Sequence, residues 1–564
     1  MIDYKGALAE LISESVKLEK EKIYEIIEIP PDMEMGDYAF PCFILAKTFK
    51  KNPALIAKEL SQSIELDNKF DKVVNNGPYL NFYLDRTEFN KEILKEIFNN
   101  DNYGKKNIGK NRNVIVEFSS PNIAKPFHIG HIRTTVIGNA INNIYNFMGF
   151  NTIAINHLGD YGTQFGMLIS AYKKWGNKET IEKNPIKELL KLYIRFNKET
   201  EEKPELKDEA REWFKKLEQG DKEAKSLWQW FKDVSLKEFN RVYEMLNIKF
   251  DSFTGESFYS DKMHRVIDEL EDKNLLKKSE GAEIVDLEEF DMPSPLIRKS
   301  DGSTLYITRD IAASINRKEK YDFYKNIYVV ASQQNLHFQQ WIKIVELMGY
   351  DWAKDCIHVP FGMVSLEEGT LSTRKGRVVF LEDVLNKAVE KTKEIIEERN
   401  PNLANKEEVA KQVGIGAVVF QELYNNRIKD YTFSWNKTLS FEGETGPYLQ
   451  YTYARTCSII NKAKIKIDEE VDYKALKKDI EFEIIKSLYE FSDVVEDAME
   501  KYEPFYITRY IVDLAQKYNR FYNKCPILKE EEDLKKGRLL ITYGVNKVLK
   551  TGLNLLGIEA PEKM

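Results

Sequence analysis

The feature that most constrains the fold is a repeated order of short apolar strand, loop and helix that begins near residue 113. The segment VIVEFSS at 114–120 is an apolar run that ends in a loop, and a helical pattern follows it. The same order returns in NTIAINHLGDYGTQFG at 151–166 and in NIYVVASQQNLHFQQWIKIVELMGY at 326–350. Strands that alternate with helices are typical of a parallel, doubly wound sheet, whose ligands bind beyond the carboxyl ends of the strands.

Four further segments complete this region. AEIVDL at 282–287 and PLIRKSDGSTLYITRDIAASINR at 295–317 are interpreted as a return to strands joined by an Asp-Gly turn. The segment at 355–391 predicts a strand, a basic loop and a long helix. Between 167 and about 250, dense Lys and Glu at helical spacing predict a helical insertion with a solvated face.

The two ends of the chain have different patterns. Residues 1–110 predict an α+β unit, in which VVNNGPYLNFYL at 73–84 forms two short strands around an Asn-Gly-Pro turn. From about 405 onward the strand patterns vanish, and helical patterns predict an α-helical domain. We therefore expect three domains, at 1–110, 111–405 and 406–564.

Composition excludes several classes of protein. With 564 residues and a net charge of -7, the chain is not typical of a general nucleic-acid coat protein, although a local basic face could still bind phosphates. Its four cysteines lie far apart without a CxxC pair, which predicts neither a zinc site nor a disulfide framework. The start lacks an apolar signal core and no run of 18 apolar residues occurs, so we expect a cytoplasmic protein without a membrane span.

Two of the six histidines, His128 and His131, lie three residues apart at the predicted start of a helix. Helix N-termini offer free N–H groups and a partial positive charge that suit phosphate. Imidazoles can donate hydrogen bonds to oxygens that gain charge as a bond breaks, and Gly130 would let a flat ring approach the backbone. The pattern is typical of a nucleotide attacked at its α-phosphorus, but it equally fits histidines that pack against the helix or cap it.

The longer stretch SPNIAKPFHIGHIRTTVIGNAI at 120–141 resembles the signature of class I aminoacyl-tRNA synthetases, specifically the arginyl-tRNA synthetases. Further segments in the order of that family are NHLGDYGTQFG (156–166), YITRDIAA (306–313), QQNLHFQQ (333–340) and STRKG (372–376), and GPYLNFYL (77–84) and GPYLQYTYAR (446–455) also resemble it. The resemblance covers nearly the whole chain. It implies a multidomain protein with a Rossmann-like (HUP-type) doubly wound parallel catalytic domain, an N-terminal α+β domain that contacts the tRNA D-loop, and a C-terminal α-helical anticodon-binding bundle.

The resemblance also implies an arginine pocket. Tyr306 and Asp310 would hold the substrate guanidinium, and Glu117, Asn122 and Gln334 would hold the rest of the amino acid. A carboxylate takes a guanidinium through two parallel hydrogen bonds, so such a site rejects lysine and citrulline. Two alternatives remain open: Glu117 as a structural salt-bridge partner, and the Tyr306–Asp310 pair as a core tyrosine with an exposed helix-start aspartate.

For ATP, the resemblance implies contacts from His128, Gly130 and His131, with both histidines catalytic. The second class I signature usually carries two lysines, whereas GTLSTRKG at 369–376 has Thr370 and Thr373 in their places. In the arginyl family a lysine before the histidines is thought to compensate, which here is Lys125, the third catalytic candidate. The further candidates for ATP binding are Ser372, Arg374 and Lys375. The alternative for this segment is a solvated basic turn.

The implied reaction needs no protein nucleophile. The arginine carboxylate attacks the α-phosphorus of ATP, pyrophosphate leaves with magnesium, and the 2′-hydroxyl of the terminal tRNA adenosine then attacks the arginyl-adenylate. Catalysis is positioning and charge stabilisation. The expected partners are arginine tRNA, arginine and ATP with its Mg²⁺. We expect no zinc, and a monomer that activates arginine only with tRNA bound.

The resemblance extends to residues that would contact tRNA. Tyr79 and Asn81 match positions that read a D-loop base, by stacking and by hydrogen bonding. Anticodon candidates are Tyr522, Met564 and either Tyr448 or Tyr451. Basic residues that could follow the phosphate backbone are Lys535, Lys536, Arg538, Lys547 and Lys550. Aromatic residues in a core and a solvated basic face are the structural alternatives.

Three other functions compete. A small nucleotidylyltransferase would share the histidine signature but would not need the N-terminal unit or the helical tail. Another class I synthetase would lack the Tyr306–Asp310 pair. A catalytically silent RNA-binding scaffold is favoured only by the altered second signature, and it would bind tRNA without forming arginyl-tRNA.

Overall fold

The computed structural model describes residues 3–300, 305–366 and 379–564. It contains two compact units, one of residues 1–103, 456–491 and 514–548 and the other of 104–455, 492–513 and 549–564. Each unit therefore combines segments that are distant in the sequence. The boundaries expected near 110 and 405 stay predictions.

The helices of the described residues are α1 (Tyr4–Val16), α2 (Lys20–Ile26), α3 (Ala46–Phe49), α4 (Pro53–Ser63), α5 (Arg86–Asn99), α6 (Ile132–Phe147), α7 (Thr163–Trp175), α8 (Lys178–Lys183), α9 (Pro185–Glu202), α10 (Glu205–Glu218), α11 (Lys222–Met245), α12 (Met263–Asp272), α13 (Tyr306–Tyr321), α14 (Asn335–Leu347), α15 (Leu381–Arg399), α16 (Lys406–Tyr424), α17 (Trp435–Thr438), α18 (Gly446–Ala463), α19 (Asp479–Glu500), α20 (Phe505–Lys524) and α21 (Glu532–Leu555). The strands are β1 (Tyr38–Pro41), β2 (Phe70–Asn76), β3 (Tyr79–Leu84), β4 (Asn113–Glu117), β5 (Asn151–Ile155), β6 (Leu276–Ser279), β7 (Ala282–Val285), β8 (Leu296–Arg298), β9 (Lys325–Ala331), β10 (Cys356–Phe361), β11 (Val364–Leu366) and β12 (Tyr431–Phe433).

The centre of the larger unit is a parallel sheet in the order β10-β9-β4-β5. Residues Val114 to Glu117 of β4 are all buried, as expected for a strand covered on both faces. The apolar residues of α12, α13 and α14 form one buried cluster with Ile115 of β4 and Tyr328 of β9. The predicted parallel sheet is confirmed, and its strand ends place the loops after β4, β5 and β9 where ligands bind in this class of fold.

Two interpretations of the sequence are wrong. YITRDIAASINR does not return to a strand but lies in α13, because Ile307, Ile311 and Ile315 recur every four residues and form a buried helical stripe. The short strands β6, β7 and β8 pair in a separate antiparallel sheet. Strands also do not vanish after 405, since β12 pairs with β11, but three residues are too few to show a period.

In the smaller unit, strands β1, β3 and β2 form an antiparallel sheet. The predicted hairpin around the Asn-Gly-Pro turn is confirmed, and Gly77 in that turn has a φ of 56°, a left-handed conformation that favours glycine. The helical insertion is confirmed as α7 to α11, and the predicted C-terminal helices include α16, α18 and α21. Within residues 3–300, 305–366 and 379–564, no helix is long and apolar enough to cross a membrane.

Candidate active site

The loop after β4 has an unusual backbone. Ser119, Ser120 and Ala124 have φ values of 69°, 45° and 61°, which cost free energy for residues with a side chain. The loop is held nonetheless, because the Ser119 N–H donates to Thr134 Oγ1 at 3.0 Å and Ser119 Oγ lies 2.8 Å from the buried Tyr243 hydroxyl. Strain of this kind is typical of sites that must present groups in one arrangement.

The two histidines lie in a single 3₁₀ turn that leads into α6. His128 Nδ1 accepts the Gly130 N–H at 3.1 Å, and His131 Nδ1 accepts the His128 N–H at 3.2 Å, so that the pair forms a capping box. The ring centroids are 4.0 Å apart. The capping role that the sequence left open is therefore present. A Cβ on Gly130 would lie 2.8 Å from His128 Cε1, so the flat ring against this glycine is the imidazole of His128.

Burial lowers the pKa of all three catalytic candidates. It lowers the pKa of His128, and it lowers the pKa of His131 to about 3 with a smaller contribution from the neighbouring His128. Both imidazoles are consequently neutral at physiological pH. Burial also lowers the pKa of Lys125, while the negative charge of Glu256 raises it.

The basic loop candidates Ser372, Arg374 and Lys375, with Thr370 and Thr373, lie outside the described residues. The chain that follows them is described and runs beside the histidines. The Ile129 N–H donates to the Val379 carbonyl at 3.1 Å, and the Leu381 N–H donates to the Phe127 carbonyl at 2.9 Å. The residues just after the basic segment therefore lie directly beside the turn of His128 and His131, which we call the signature turn.

Tyr306 and Asp310 lie one turn apart at the start of α13. Tyr306 is 46% exposed and the Asp310 side chain is 19% exposed, so the alternative of a core tyrosine with an exposed aspartate is wrong in both parts. Asp310 Oδ2 lies 2.6 Å from His337 Nε2, and the rings of His337 and Tyr306 are 4.6 Å apart. The negative charge of Asp310 is the main cause that raises the pKa of the Tyr306 phenol, with Glu256 and Glu117 adding to it.

The three other residues expected to bind the substrate arginine differ from one another in burial and in their contacts. Glu117 Oε2 lies 2.6 Å from Arg317 Nη1, and both side chains are buried, which favours the salt-bridge alternative for Glu117. Asn122 is exposed and packs against Gly159, where a Cβ would lie 2.3 Å from Asn122 Oδ1. Gln334 ends the turn after β9 and is half-buried. Their contacts with a substrate stay predictions.

Sequence reasoning missed Glu256 as a member of this site. Its side chain is 16% exposed, and its Oε2 lies 3.2 Å from Arg309 Nη1. Burial raises the pKa of Glu256 to about 7, Arg309 opposes this rise, and the negative charges of Asp310 and Asp160 add to it. Glu256 follows no local motif of its own, so only the fold brings it to Asp310.

Asp160 of the quoted NHLGDYG segment explains how Glu256 is placed. The Asp160 carboxylate is fully buried and accepts the Ser257 N–H and the Ser257 hydroxyl, each at 2.8 Å. Lys232 of α11 pairs with the same carboxylate at 2.7 Å. The turn that carries Glu256 is thereby fixed to the loop after β5. His337, also missed as a site residue, could have been suspected because it lies within the quoted QQNLHFQQ segment.

The candidates for tRNA contact have mixed surroundings. Tyr79 is half-buried with Phe43 at a ring distance of 5.7 Å, and Asn81 is buried on β3. Tyr522 on α20 is 42% exposed, whereas Met564 packs against a cluster that includes Val409.

The interpretation of Arg538 as a surface residue that follows phosphates is wrong. The side chain is buried and pairs with Glu481 at 2.8 Å and with Glu530 at 2.9 Å. Burial on one face of a helix cannot be read from charge alone, because a buried arginine with two carboxylate partners and a solvated arginine look identical in sequence.

Comparison with known families gives three consecutive matches. The profile "tRNA synthetases class I (R), catalytic domain" matches residues 93–435, the "DALR anticodon binding domain" matches 449–564, and the "Arginyl tRNA synthetase N terminal domain" matches 3–84. The chain is 62% identical to the arginine–tRNA ligase of Halothermothrix orenii and 59% identical to that of Clostridioides difficile, with full coverage of all three chains.

The chain belongs to the class I arginyl-tRNA synthetases. The structure agrees, since it superposes on the arginyl-tRNA synthetase of Thermus thermophilus with a TM-score of 0.81 at 26% identity over the whole of both chains. The family, the fold class and the general activity expected from the sequence are confirmed: the protein is an ATP-using ligase of the synthetase class, whose general activity is the charging of tRNA with arginine. The nucleotidylyltransferase alternative is excluded by these matches.

Proposed function

We propose that this arginyl-tRNA synthetase recognises its amino acid through Asp310, with Tyr306 and Glu256 beside it. Three carboxylates, those of Glu117, Glu256 and Asp310, act on the Tyr306 phenol. The incoming guanidinium needs at least one of them as its partner, and the described contacts show which of the three is not paired with an arginine of the chain.

The single observation that carries this proposal is the difference between their partners. Glu117 pairs with Arg317 and Glu256 pairs with Arg309, so each faces a guanidinium of the chain itself. Asp310 instead contacts His337, and an imidazole carries charge only when it is protonated. Asp310 can therefore turn its negative charge to a substrate guanidinium, whereas Glu117 acts chiefly through its ion pair.

On the nucleotide side, neutral His128 and His131 donate their outer N–H groups to the α-phosphate region as pyrophosphate leaves. Lys125 supplies positive charge in the strained loop and takes the place of the missing signature lysines. Burial in the loop lowers the pKa of Lys125, and an anionic phosphate beside it raises that pKa again. Magnesium enters as the counter-ion of ATP and supplies charge neutralisation of the phosphates. Ser372, Arg374 and Lys375 complete the phosphate contacts in this proposal.

The remaining assignments extend the same proposal. Asn122 and Gln334 hold the α-amino and carboxyl end of arginine. Tyr79 and Asn81 contact the tRNA D-loop, and Tyr522 and Met564 contact the anticodon. Domains at 1–110, 111–405 and 406–564, a cytoplasmic location and a monomeric state are expected with it.

The test is charging of total tRNA by each of the twenty amino acids, and by citrulline, with ATP and magnesium. We expect arginine alone to be accepted. Citrulline is the sharpest control, because it keeps the shape of arginine but lacks the positive charge that Asp310 would bind. Charging with citrulline at a comparable rate would contradict the assignment of Asp310. Tight tRNA binding without any charging would favour the silent scaffold instead.

A further inference from the structure

Arg309 lies in the same turn of α13 as Asp310 and Tyr306 but contacts a different partner. Its Nη1 is 3.2 Å from Glu256 Oε2, with both side chains largely buried. Its guanidinium also lies over the ring of Tyr161, 4.8 Å from the centroid. The pocket proposed for substrate arginine therefore already contains a guanidinium of the protein.

Contacts continue from Arg309 into the helical insertion. The Tyr161 hydroxyl donates to Glu218 Oε1 at 2.6 Å, and Glu218 is the last residue of α10. The Tyr161 ring also meets Phe214 of α10 edge-on at 5.2 Å. Glu218, Tyr161, Arg309 and Glu256 thus form one line of contacts. These contacts hold the Arg309 guanidinium through Tyr161 in addition to its ion pair with Glu256.

The charges around Glu256 explain why such a fixed cation is needed. The groups that face Glu256 are Arg309, Asp310 and Tyr306 from α13, Asp160 from the loop after β5, where Lys232 of α11 pairs with it, and Lys125 from the loop after β4. Two of these are carboxylates, which oppose ionisation of Glu256 together with its burial. The cations Arg309 and Lys125 lower the pKa of Glu256, and Arg309 has the larger effect.

We propose that Arg309 is a positioning residue that keeps Glu256 ionised and oriented as a second acceptor for the substrate guanidinium. The inference rests on the proposed arginine pocket and adds to it a residue that does not touch the substrate. Arg309 is a fixed ion-pair partner: it holds one oxygen of Glu256, and the other oxygen is available to the substrate. Loss of Arg309 leaves Glu256 buried beside Asp310 and Asp160, where it takes up a proton, loses its negative charge and gains an O–H donor that cannot face a guanidinium.

The experiment measures steady-state charging with arginine between pH 6 and pH 9 for the wild type, Arg309→Met and Arg309→Lys. Methionine keeps much of the volume and removes the charge, and lysine keeps the charge without the planar fork. At pH 7 we expect Arg309→Met to raise the KM for arginine about tenfold or more, with a smaller change in kcat, since about 1.4 kcal/mol of binding is one factor of ten. Arg309→Lys should recover part of this loss.

The pH profile separates positioning from a merely structural role. Glu256 binds substrate when ionised, so the KM for arginine should fall as the pH rises through about 7 in the wild type. Removal of the opposing cation raises the pKa of Glu256, so this fall should move upward by about one to three pH units in Arg309→Met. In Arg309→Met with Glu256→Gln the fall should disappear. A KM for Arg309→Met that equals the wild type, or one raised equally at every pH, would overturn the proposal.

Two controls keep the result decisive. Asp310→Asn in the same assay tests the pocket itself: if it leaves the KM for arginine unchanged, the proposed function fails, whereas an effect of Asp310→Asn without one of Arg309→Met defeats only the role of Arg309. If Arg309→Met does not fold by circular dichroism, Tyr161→Leu removes the ring beneath Arg309 and should move the KM profile in the same direction by a smaller amount. An unshifted profile in folded Tyr161→Leu would then count against the proposal.

Discussion

The signature turn and the arginine pocket present their functional groups by opposite means. In the turn, the hydrogen bonds of the His128 and His131 rings join ring nitrogen and backbone within three residues. In the pocket, the partners are far apart in the chain: 27 residues separate Asp310 from His337, and 200 separate Glu117 from Arg317. The turn is neutral and the pocket is charged. Local contacts make the turn a compact motif, whereas the pocket exists only once the whole sheet has formed.

The largest effect should come from the charged side of this comparison. Asp310→Asn removes the carboxylate that faces the substrate guanidinium, which costs about 2 to 5 kcal/mol when one partner of a buried charged pair is lost. We expect kcat/KM for arginine to fall by a factor of roughly 30 to several thousand. Pyrophosphate exchange at saturating tRNA is the measurement, and the KM for ATP is the internal control. A fall below threefold would remove Asp310 from the pocket.

His128 allows the two roles within the turn to be separated. Asparagine is a good helix cap, so His128→Asn should retain the stability that His128→Ala loses, a difference of about 1 kcal/mol in the free energy of unfolding. Both variants lack the outer N–H donor, and kcat should fall by about 100- to 1000-fold in both. Urea unfolding and pyrophosphate exchange test the two halves. Wild-type activity in His128→Asn would mean that the histidine only caps the helix.

Gly130→Ala should have an intermediate effect that appears in activity more than in stability. The added Cβ would lie 2.8 Å from Cε1 and 2.9 Å from Nδ1 of His128, so the imidazole has to move. A group that must be aligned with a reacting atom loses up to about 100-fold in rate when it is misplaced by about 1 Å. We therefore expect kcat to fall by a factor between about 10 and 100. The contrasting control is Gly443→Ala, where an added Cβ meets no atom within 4 Å but φ is 81°, so that this variant should lose stability through backbone strain and keep its kcat. Equal kcat in Gly130→Ala and the wild type would show that the ring position is not critical.

The smallest effect concerns stability against pH, where the two regions should differ in sign. The pKa of His131 is about 3 in the folded chain against 6.5 ordinarily, so the unfolded chain binds the additional proton and stability falls as the pH drops below 6.5. His131→Asn should remove up to about 2 kcal/mol of this loss at pH 5. Glu256 has a raised pKa, about 7 against 4.5, so its contribution falls as the pH rises from 4.5 through 7.

Glu256→Gln should therefore increase stability relative to the wild type at pH 8 more than at pH 5. Denaturant unfolding of the wild type, His131→Asn and Glu256→Gln at pH 5, 6.5 and 8 gives the difference in the free energy of unfolding between each variant and the wild type. The difference for His131→Asn should decrease as the pH rises, and the difference for Glu256→Gln should increase. A change with pH in the same direction for both variants would contradict the comparison.

The same contrast explains which parts of the site the sequence could predict. The strand, strained loop and helix around His128 and His131 are contiguous, and so the turn and its position beyond β4 follow from local patterns. Tyr306 and Asp310 are candidates because the YITRD segment that carries both resembles the arginyl-tRNA synthetases, and their contact with arginine stays a prediction. The ion pairs Glu256–Arg309 and Glu117–Arg317 join residues that are dozens of positions or more apart in the chain. One sequence holds no local pattern that predicts such contacts.

The errors in the fold have similar causes. YITRD begins with aromatic and β-branched residues that favour a strand, and only the later Ile311 and Ile315 show the helical period. The burial of Arg538 depends on Glu481, 57 residues away. Domain matches at 3–84, 93–435 and 449–564 follow the order expected from the sequence, while the compact units join the N-terminal residues with segments of the C-terminal helices. Neither composition nor periodicity indicates which distant segments of the chain pack into one unit.

The Gly130 N–H bond to Nδ1 of His128 also determines the tautomer of the imidazole. A neutral ring whose Nδ1 accepts a hydrogen bond must carry its single proton on Nε2, the nitrogen that faces away from the backbone. In free histidine the two tautomers interconvert, and an enzyme that relied on a free side chain would have the wrong one for part of the time. Here the closing of one helical turn selects the competent form, so the chain acquires its donor in the same step in which α6 begins.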